Sequence, residues 1–314
     1  MADENNTIQN ALTIMNKDWS KQIILYGPPG TSKTYSATII AAKLLGMTDS
    51  NGEDDEYKRA SEYLEKESAA VRFKLVQFHP AYTYEDFVRG ITVKPEGSGL
   101  KYEVERKVFE EFCDKAKENN DNFVFMIDEI NRAPLSSVLG ELIYGLEYRG
   151  RPVSTPYKID HADFFMVPDN VYIIGTMNTA DRSIGTIDYA VRRRFAFLPV
   201  YPNKGCIKDS WGSDKAGKKA EEYYEKVQKL FQPTANGGFC KDGVNGEDIA
   251  IGHTYFLGPK SGFGTEKEMF DYLEFRMNYQ VKPILEEYVK DGLLDESLLG
   301  ELEKENWLAE LAAL

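Results

Sequence analysis

Five short apolar runs, separated by segments with helical patterning, constrain this chain more than any other feature. They are "QIILY" (22–26), "FKLVQF" (73–78), "FVFMI" (123–127), "VYIIGTM" (171–177) and "FAFLPV" (195–200). Several are almost unbroken in apolar residues, as strands buried on both faces must be. Helical patterns occupy the spacers at 33–46, 106–118 and 135–148. Alternation of this kind predicts an α/β fold, a parallel sheet covered by helices in an αβα sandwich. The stretch 49–68 reads as a solvated acidic excursion carrying a short charged helix, and 93–105 as a hairpin turning at "EGSG". Beyond Pro202 a loop-like segment gives way to helical patterns from Glu221 onward. The expected division is a lead segment at 1–20, an α/β core at 21–202 and a smaller, mainly helical domain at 203–314.

Composition narrows the partners. The 314 residues carry 38 Lys and Arg against 51 Asp and Glu, a formal charge of −13. A chain that itself grips a nucleic-acid backbone usually shows a basic surface, so if DNA is a target, another chain or domain is expected to read it. No apolar run approaches the roughly 18–20 residues of a membrane span. The N-terminus, "MADENNTIQN", has neither signal-peptide nor transit-peptide character. Three widely spaced cysteines, Cys113, Cys206 and Cys240, fit neither a disulfide framework nor a zinc site, and a reducing cytoplasm is expected.

The first apolar run leads into "GPPGTSKT": Gly27, Pro28, Pro29, Gly30, Thr31, Ser32, Lys33 and Thr34, with Tyr35 next. A strand, a glycine-rich turn and a Lys-Thr pair opening a helix is the setting of a phosphate-binding loop. Its backbone N–H groups would face phosphate, Lys33 would reach the β- and γ-phosphates, and the Thr34 hydroxyl would meet Mg²⁺. The sixth position, usually glycine, is Ser32. Serine fits there if its φ is negative or if modest strain is tolerated, and its backbone N–H remains available.

About 95 residues later the run 123–127 ends in Asp128-Glu129. Acids at the carboxyl end of a buried strand stand where α/β folds bind ligands. Asp128 is expected to hold Mg²⁺, and Glu129 to orient and deprotonate water. The fourth run ends at Asn178, a carboxamide able to donate and accept at the γ-phosphate and the water. Asp181 and Arg182 follow at a turn, and Asp188 begins a helical turn leading to Arg192, Arg193 and Arg194. Three arginines in sequence point in different directions on a helix. One offered to a neighbouring subunit's γ-phosphate would act as an arginine finger, and a solvated basic patch is the competing reading.

The ordered text "GPPGTSKT", "VQFHPAYTYEDFVRG", "IDEINRAPLSSVLGELIYGLE", "VPDNVYIIGTMNTADRSIGTIDYAVRRRFAF" and "IGHTYF" resembles the McrB family of AAA+ motors over roughly residues 21–290. The resemblance implies an AAA+ P-loop NTPase core with a C-terminal helical lid. It implies GTP as substrate (ATP being the superfamily's usual one), a hexameric ring with nucleotide at subunit interfaces, and a McrC-like nuclease partner through which DNA is engaged. By the same resemblance, Asn178, Asp181, Arg182 and Asp188 belong to a sensor and signature loop. Arg132, Arg193 and Arg194 become candidates for catalytic arginines at the interface. Only about 20 residues precede the first strand, so the family's DNA-reading domain is expected elsewhere. Many AAA+ lids offer an arginine where this chain has His253, for which packing and an approach to nucleotide both stay open. A chaperone of the related MoxR type, or an assembly switch that hydrolyses weakly, are the alternatives.

Overall fold

The computed structural model describes residues 2–17, 19–49, 55–97, 99–159, 162–181, 187–259, 263–304 and 307–310. Contacts along the chain divide it into two units. The larger comprises Thr7–Tyr26 and Thr34–Leu198; the smaller comprises Met1–Asn6, Gly27–Lys33 and Pro199–Leu314.

The larger unit is built on a five-stranded sheet. Its strands are β1 (Gln22–Gly27), β2 (Phe73–Gln77), β5 (Phe123–Asp128), β8 (Val171–Asn178) and β9 (Ala196–Pro199), in the order β2-β5-β8-β1-β9. β5 runs parallel to both neighbours, with Gln77 opposite Asp128 on one side and Phe123 opposite Val171 on the other. The strands that read as unbroken apolar runs are the central ones: β1, β5 and β8 are buried along most of their length. β2 lies at the edge and exposes Lys74 and half of Leu75. Helices α2 (Lys33–Leu44), α3 (Glu56–Ala69) and α5 (Val108–Lys117) occupy the spacers. α5 buries Phe109, Phe112, Cys113 and Ala116, a spacing of three and four that gives one apolar face.

Several elements differ from the sequence expectation. A helix at the N-terminus, α1 (Ala2–Asn16), buries Ile8, Ala11 and Met15 at helical spacing. The helix expected over 135–148 is two short ones, α6 (Leu135–Leu139) and α7 (Leu142–Glu147), broken at Gly140. Gly140 has φ +50, and a Cβ there would sit 3.1 Å from the Tyr84 ring, so both the bend and the space select glycine. The hairpin at "EGSG" forms as β3 (Arg89–Glu96) with β4 (Gly99–Arg106). A second hairpin, β6 (Val153–Ile159) with β7 (Ala162–Phe165), has no counterpart in the sequence reading. The buried Arg89 ties them together. Its guanidinium meets both Glu110 oxygens at 2.5 and 2.6 Å and donates to Tyr157 O and Phe164 O. In the segment "HPAYTYEDFVRG", Phe87 is buried and Tyr82 stacks on Phe78, while Thr83 and Asp86 form a capping box at α4 (Tyr84–Phe87).

The smaller unit is mainly helical. Its longest helix, Asp214–Leu230, is capped by Ser213 and buries Ala216, Ala220, Tyr223, Tyr224 and Val227. A second helix starts at a Thr265/Glu268 capping box, runs over Glu266–Arg276, widens into a π-turn at Met277–Val281 and continues as Lys282–Lys290. Pro283, which has no N–H for the helical ladder, stands just after the widened turn.

Candidate active site

Within the larger unit, a polar cluster forms at the carboxyl ends of β5 and β8. Asp128 Oδ1 accepts from two hydroxyls, Thr176 Oγ1 at 2.5 Å and Thr34 Oγ1 at 3.1 Å. Thr176 Oγ1 also accepts the Glu129 backbone N–H at 3.2 Å. Asn178 Nδ2 donates to Glu129 Oε1 at 2.5 Å, and Asn131 Nδ2 donates to Asn178 O at 3.2 Å. Arg132 lies 3.5 Å from Glu129 and 3.6 Å from Asp181. Six residues singled out in the sequence thus share one site: Thr34, Asp128, Glu129, Arg132, Asn178 and Asp181.

The backbone explains how two adjacent acids can do different work. Asp128 ends β5 in register with Gln77 of β2, whereas Glu129 has φ +54, the left-handed region. That conformation costs a non-glycine residue about 1–2 kcal/mol and turns its side chain away from the strand direction, toward Asn178. Gly175 makes room for the turn. A Cβ there would lie 2.9 Å from Ile130 Cδ1 and 3.2 Å from Ile24 Cγ1, so glycine lets Ile130 seat against the sheet directly after Glu129 without its side chain shifting. Thr176 and Asn178, two residues apart on β8, present side chains to the same face and brace the two carboxylates separately.

The phosphate-loop residues Gly27–Lys33 belong to the smaller unit, joined by the chain to Thr34 at the start of α2. Lys33 is buried, and its Nζ donates to Pro28 O at 2.7 Å; Thr31 Oγ1 donates to the same carbonyl at 3.0 Å. Gly30 has φ +76 and Ser32 φ +65, so Ser32 takes the strained alternative of the two that the sequence left open. The segment 252–254 lies along this loop: Gly252 N donates to Pro29 O at 2.9 Å and Thr254 N to Gly30 O at 3.0 Å. His253, 1% exposed, places Nε2 2.8 Å from Ser32 Oγ. It packs, and it touches the loop as it does so. Tyr35 stacks on Tyr57, with ring centroids 4.9 Å apart.

The oxygen pair Thr34 and Asp128 suits Mg²⁺, which takes hard oxygen ligands, keeps several waters and uses one or two protein groups beside substrate phosphates. A carboxylate already hydrogen-bonded to two hydroxyls also has its charge partly balanced, as a metal ligand's outer partners require.

Two curated proteins match this chain. A type IV methyl-directed restriction enzyme subunit, EcoKMcrB of Escherichia coli (strain K12), is 38% identical over 296 residues, covering 91% of this chain and 56% of that protein. A type II restriction enzyme component, BsuMI YdiS of Bacillus subtilis (strain 168), is 27% identical over 227 residues, 60% of each. This chain therefore spans little more than half the length of the curated relatives it matches. The AAA domain (dynein-related subfamily) matches residues 56–195, which hold Asp128, Glu129, Asn178 and the arginine trio.

The chain belongs to the McrB family of AAA+ P-loop NTPases.

In this McrB-family chain the arginine trio stands apart from the carboxylate cluster. Gln22, which opens β1, donates to Arg194 O at 2.6 Å, and Ile173 N near the start of β8 donates to Lys21 O at 2.9 Å. Arg193 and Arg194 thus lie at the amino edge of the sheet, opposite the edge where β5 and β8 deliver Asp128 and Asn178. The three side chains part as their helical spacing requires. Arg192 lies over the Phe197 ring at 5.1 Å. Arg194 is 9% exposed and pairs with Glu147 at 2.6 Å. Arg193 is 65% exposed and meets the same Glu147 at 3.2 Å. Asp188 caps the short helix that leads into them, α8 (Tyr189–Arg192). The Val191 N–H at 2.8 Å holds its carboxyl below the usual aspartate range. Arg182 lies outside the described residues.

Thr176 and Asn131 are the site residues that sequence reasoning missed. In "VYIIGTMN" a threonine passes as a β-branched strand residue, and its position two before Asn178 was the available signal. No helix among the described residues is long and apolar enough to cross a membrane.

Proposed function

We propose that this chain hydrolyses a nucleoside triphosphate with Mg²⁺, as the motor subunit of a modification-dependent restriction system. The observation that carries this reading is the separate bracing of two adjacent carboxylates, Asp128 by Thr34 and Thr176, Glu129 by Asn178. A metal-side acid and a water-side acid are what hydrolytic phosphoryl transfer requires. Mg²⁺ held by Thr34 and Asp128 would balance the charge of the β- and γ-phosphates. Glu129, fixed through Oε1, accepts the proton of the attacking water. By the phosphate-loop pattern, Lys33 would exchange its contact with Pro28 O for phosphate, joined by the loop's backbone N–H groups.

The split between the two sheet edges supports an oligomeric site. Arg193, largely exposed and paired with Glu147, lies at the sheet edge opposite Asp128 and Glu129, so it serves a neighbour's nucleotide, with Arg194 and Glu147 as its base. Arg132 works within its own subunit, 3.5 Å from Glu129. GTP as the preferred nucleotide, a hexameric ring and a McrC-like nuclease partner acting on DNA complete the reading, resting on the similarity to the McrB subunit. The test is turnover of GTP and ATP, with and without a McrC-like nuclease, in wild type and Glu129→Gln. Turnover insensitive to Glu129→Gln refutes the assigned chemistry; absence of turnover in every condition refutes the motor.

A further inference from the structure

We infer that His253 is a positioning residue for the phosphate loop, acting through Ser32, whose hydroxyl it orients as an added donor to the phosphates. This rests on the reading of residues 27–34 as a triphosphate site. The ring's hydrogen is assigned by its surroundings. Nδ1 lies 3.1 Å from the Asn203 backbone N–H, which only donates, so Nδ1 is the bare nitrogen and Nε2 carries the hydrogen. Nε2–H then donates to Ser32 Oγ at 2.8 Å. A hydroxyl that accepts from a fixed donor keeps its own O–H for another acceptor, and that bond can rotate toward the loop's interior.

Three further features hold the ring in place. His253 is 1% exposed, so water does not compete for Nε2. Its flanking residues are bonded to the loop backbone on both sides, through Gly252 to Pro29 and Thr254 to Gly30. A Cβ at position 252 would fall 1.9 Å from Gly30 O, so the strap approaches the loop as closely as glycine alone permits. Ser32 itself has φ +65, a conformation glycine adopts freely. Glycine at position 32 would give the same loop shape without help, and no hydroxyl. Ser32 and His253 together replace that backbone freedom with an anchored donor.

A double-mutant cycle tests this: wild type, His253→Ala, Ser32→Gly and the double variant. Affinity for fluorescent GTP and ATP analogues, turnover and the thermal midpoint are measured for each. With serine at 32, His253→Ala should weaken nucleotide binding about 10-fold, the worth of one hydrogen bond to a charged group. With glycine at 32, the same change should cost no more than about 2-fold. His253→Gln, whose carboxamide can accept from Asn203 and donate to Ser32, should recover most of the loss. Equal losses in both backgrounds would reduce His253 to a strap residue and overturn the inference. Should His253→Ala not fold, Ser32→Ala decides: binding like wild type would overturn the inference, and a loss like that expected for His253→Ala would support it. Failure of wild type to bind either nucleotide would overturn the triphosphate site first, and this inference with it.

Discussion

Replacing Thr176 with valine removes one oxygen and keeps the shape. That oxygen holds two partners: it donates to Asp128 Oδ1 at 2.5 Å and accepts from Glu129 N at 3.2 Å. Thr176 is 2% exposed, so water replaces neither bond readily. A hydrogen bond to a charged group contributes about 1.5–3 kcal/mol, and an orphaned buried N–H costs about 1–3 kcal/mol. Thr34 still serves Asp128, which offsets part of the first loss. The expected destabilisation is therefore about 2–4 kcal/mol, read as a shift in the urea midpoint at unchanged slope. The functional effect should be larger than stability alone implies. The Glu129 N–H contact supports its φ of +54, and if Glu129 is the base proposed above, misplacing it loses much of the roughly 10²–10⁴-fold that general base catalysis supplies. Turnover should fall at least about 10-fold, with nucleotide affinity changed less. Thr176→Ser keeps the hydroxyl and should restore turnover, although it leaves a methyl-sized void. A valine variant with wild-type midpoint and turnover, or a serine variant as impaired as valine, would refute the bracing argument.

Other outcomes follow from the same coordinates. Glu129→Gln should cut turnover about 100-fold or more while nucleotide binding persists, a separation visible in binding and single-turnover assays. Arg193→Ala should be inactive alone, yet mixing it with Glu129→Gln subunits should restore turnover, because some interfaces then join an intact arginine to an intact acid. No recovery at any mixing ratio would place Arg193 outside the site. Arg89→Met removes both hydrogen bonds of the buried Glu110 carboxylate, leaves it only the Arg106 guanidinium at 3.6 Å, and should cost about 3 kcal/mol in chemical denaturation, whereas Arg89→Met with Glu110→Leu should recover much of it. Under native conditions iodoacetamide should modify Cys206, which is partly exposed, well before Cys113, whose thiol is buried and held far above its usual range by that burial. Mass spectrometry of tryptic peptides reads the order.

The fold's frame was legible because burial on both faces leaves an unmistakable trace. "FVFMI" and "VYIIGT" cannot serve as amphipathic helices or one-sided strands, and they became the centre of the sheet. The acids were legible for the same reason: polarity appears abruptly where a buried strand ends. Less was readable where one residue plays an ordinary part and a special one. Thr176 satisfies the strand's preference for branching, so its hydroxyl drew no notice. Ser32 and His253 are 221 positions apart, and neither alone is more than a weak signal. The break at Gly140 inside an apolar helical pattern was hidden because glycine inside a helix is tolerated often enough to pass. α1 carried Ile8, Ala11 and Met15 at helical spacing, a pattern masked by the polar composition around it.

Arg193 and the carboxylates stand at opposite edges of one sheet, and on the proposal that Arg193 serves a neighbour's nucleotide this gives each subunit a direction. A neighbour that offers its arginine edge to a site leaves its own acids facing onward, to the next copy. Two-fold pairing would not satisfy both, so on that proposal growth would run head to tail. An open chain of such subunits always carries one site fewer than its number of members, with an idle arginine at one end and an incomplete site at the other. Closing the circle completes the last site without adding a subunit, which makes the final joint the one step in assembly that activity itself can report.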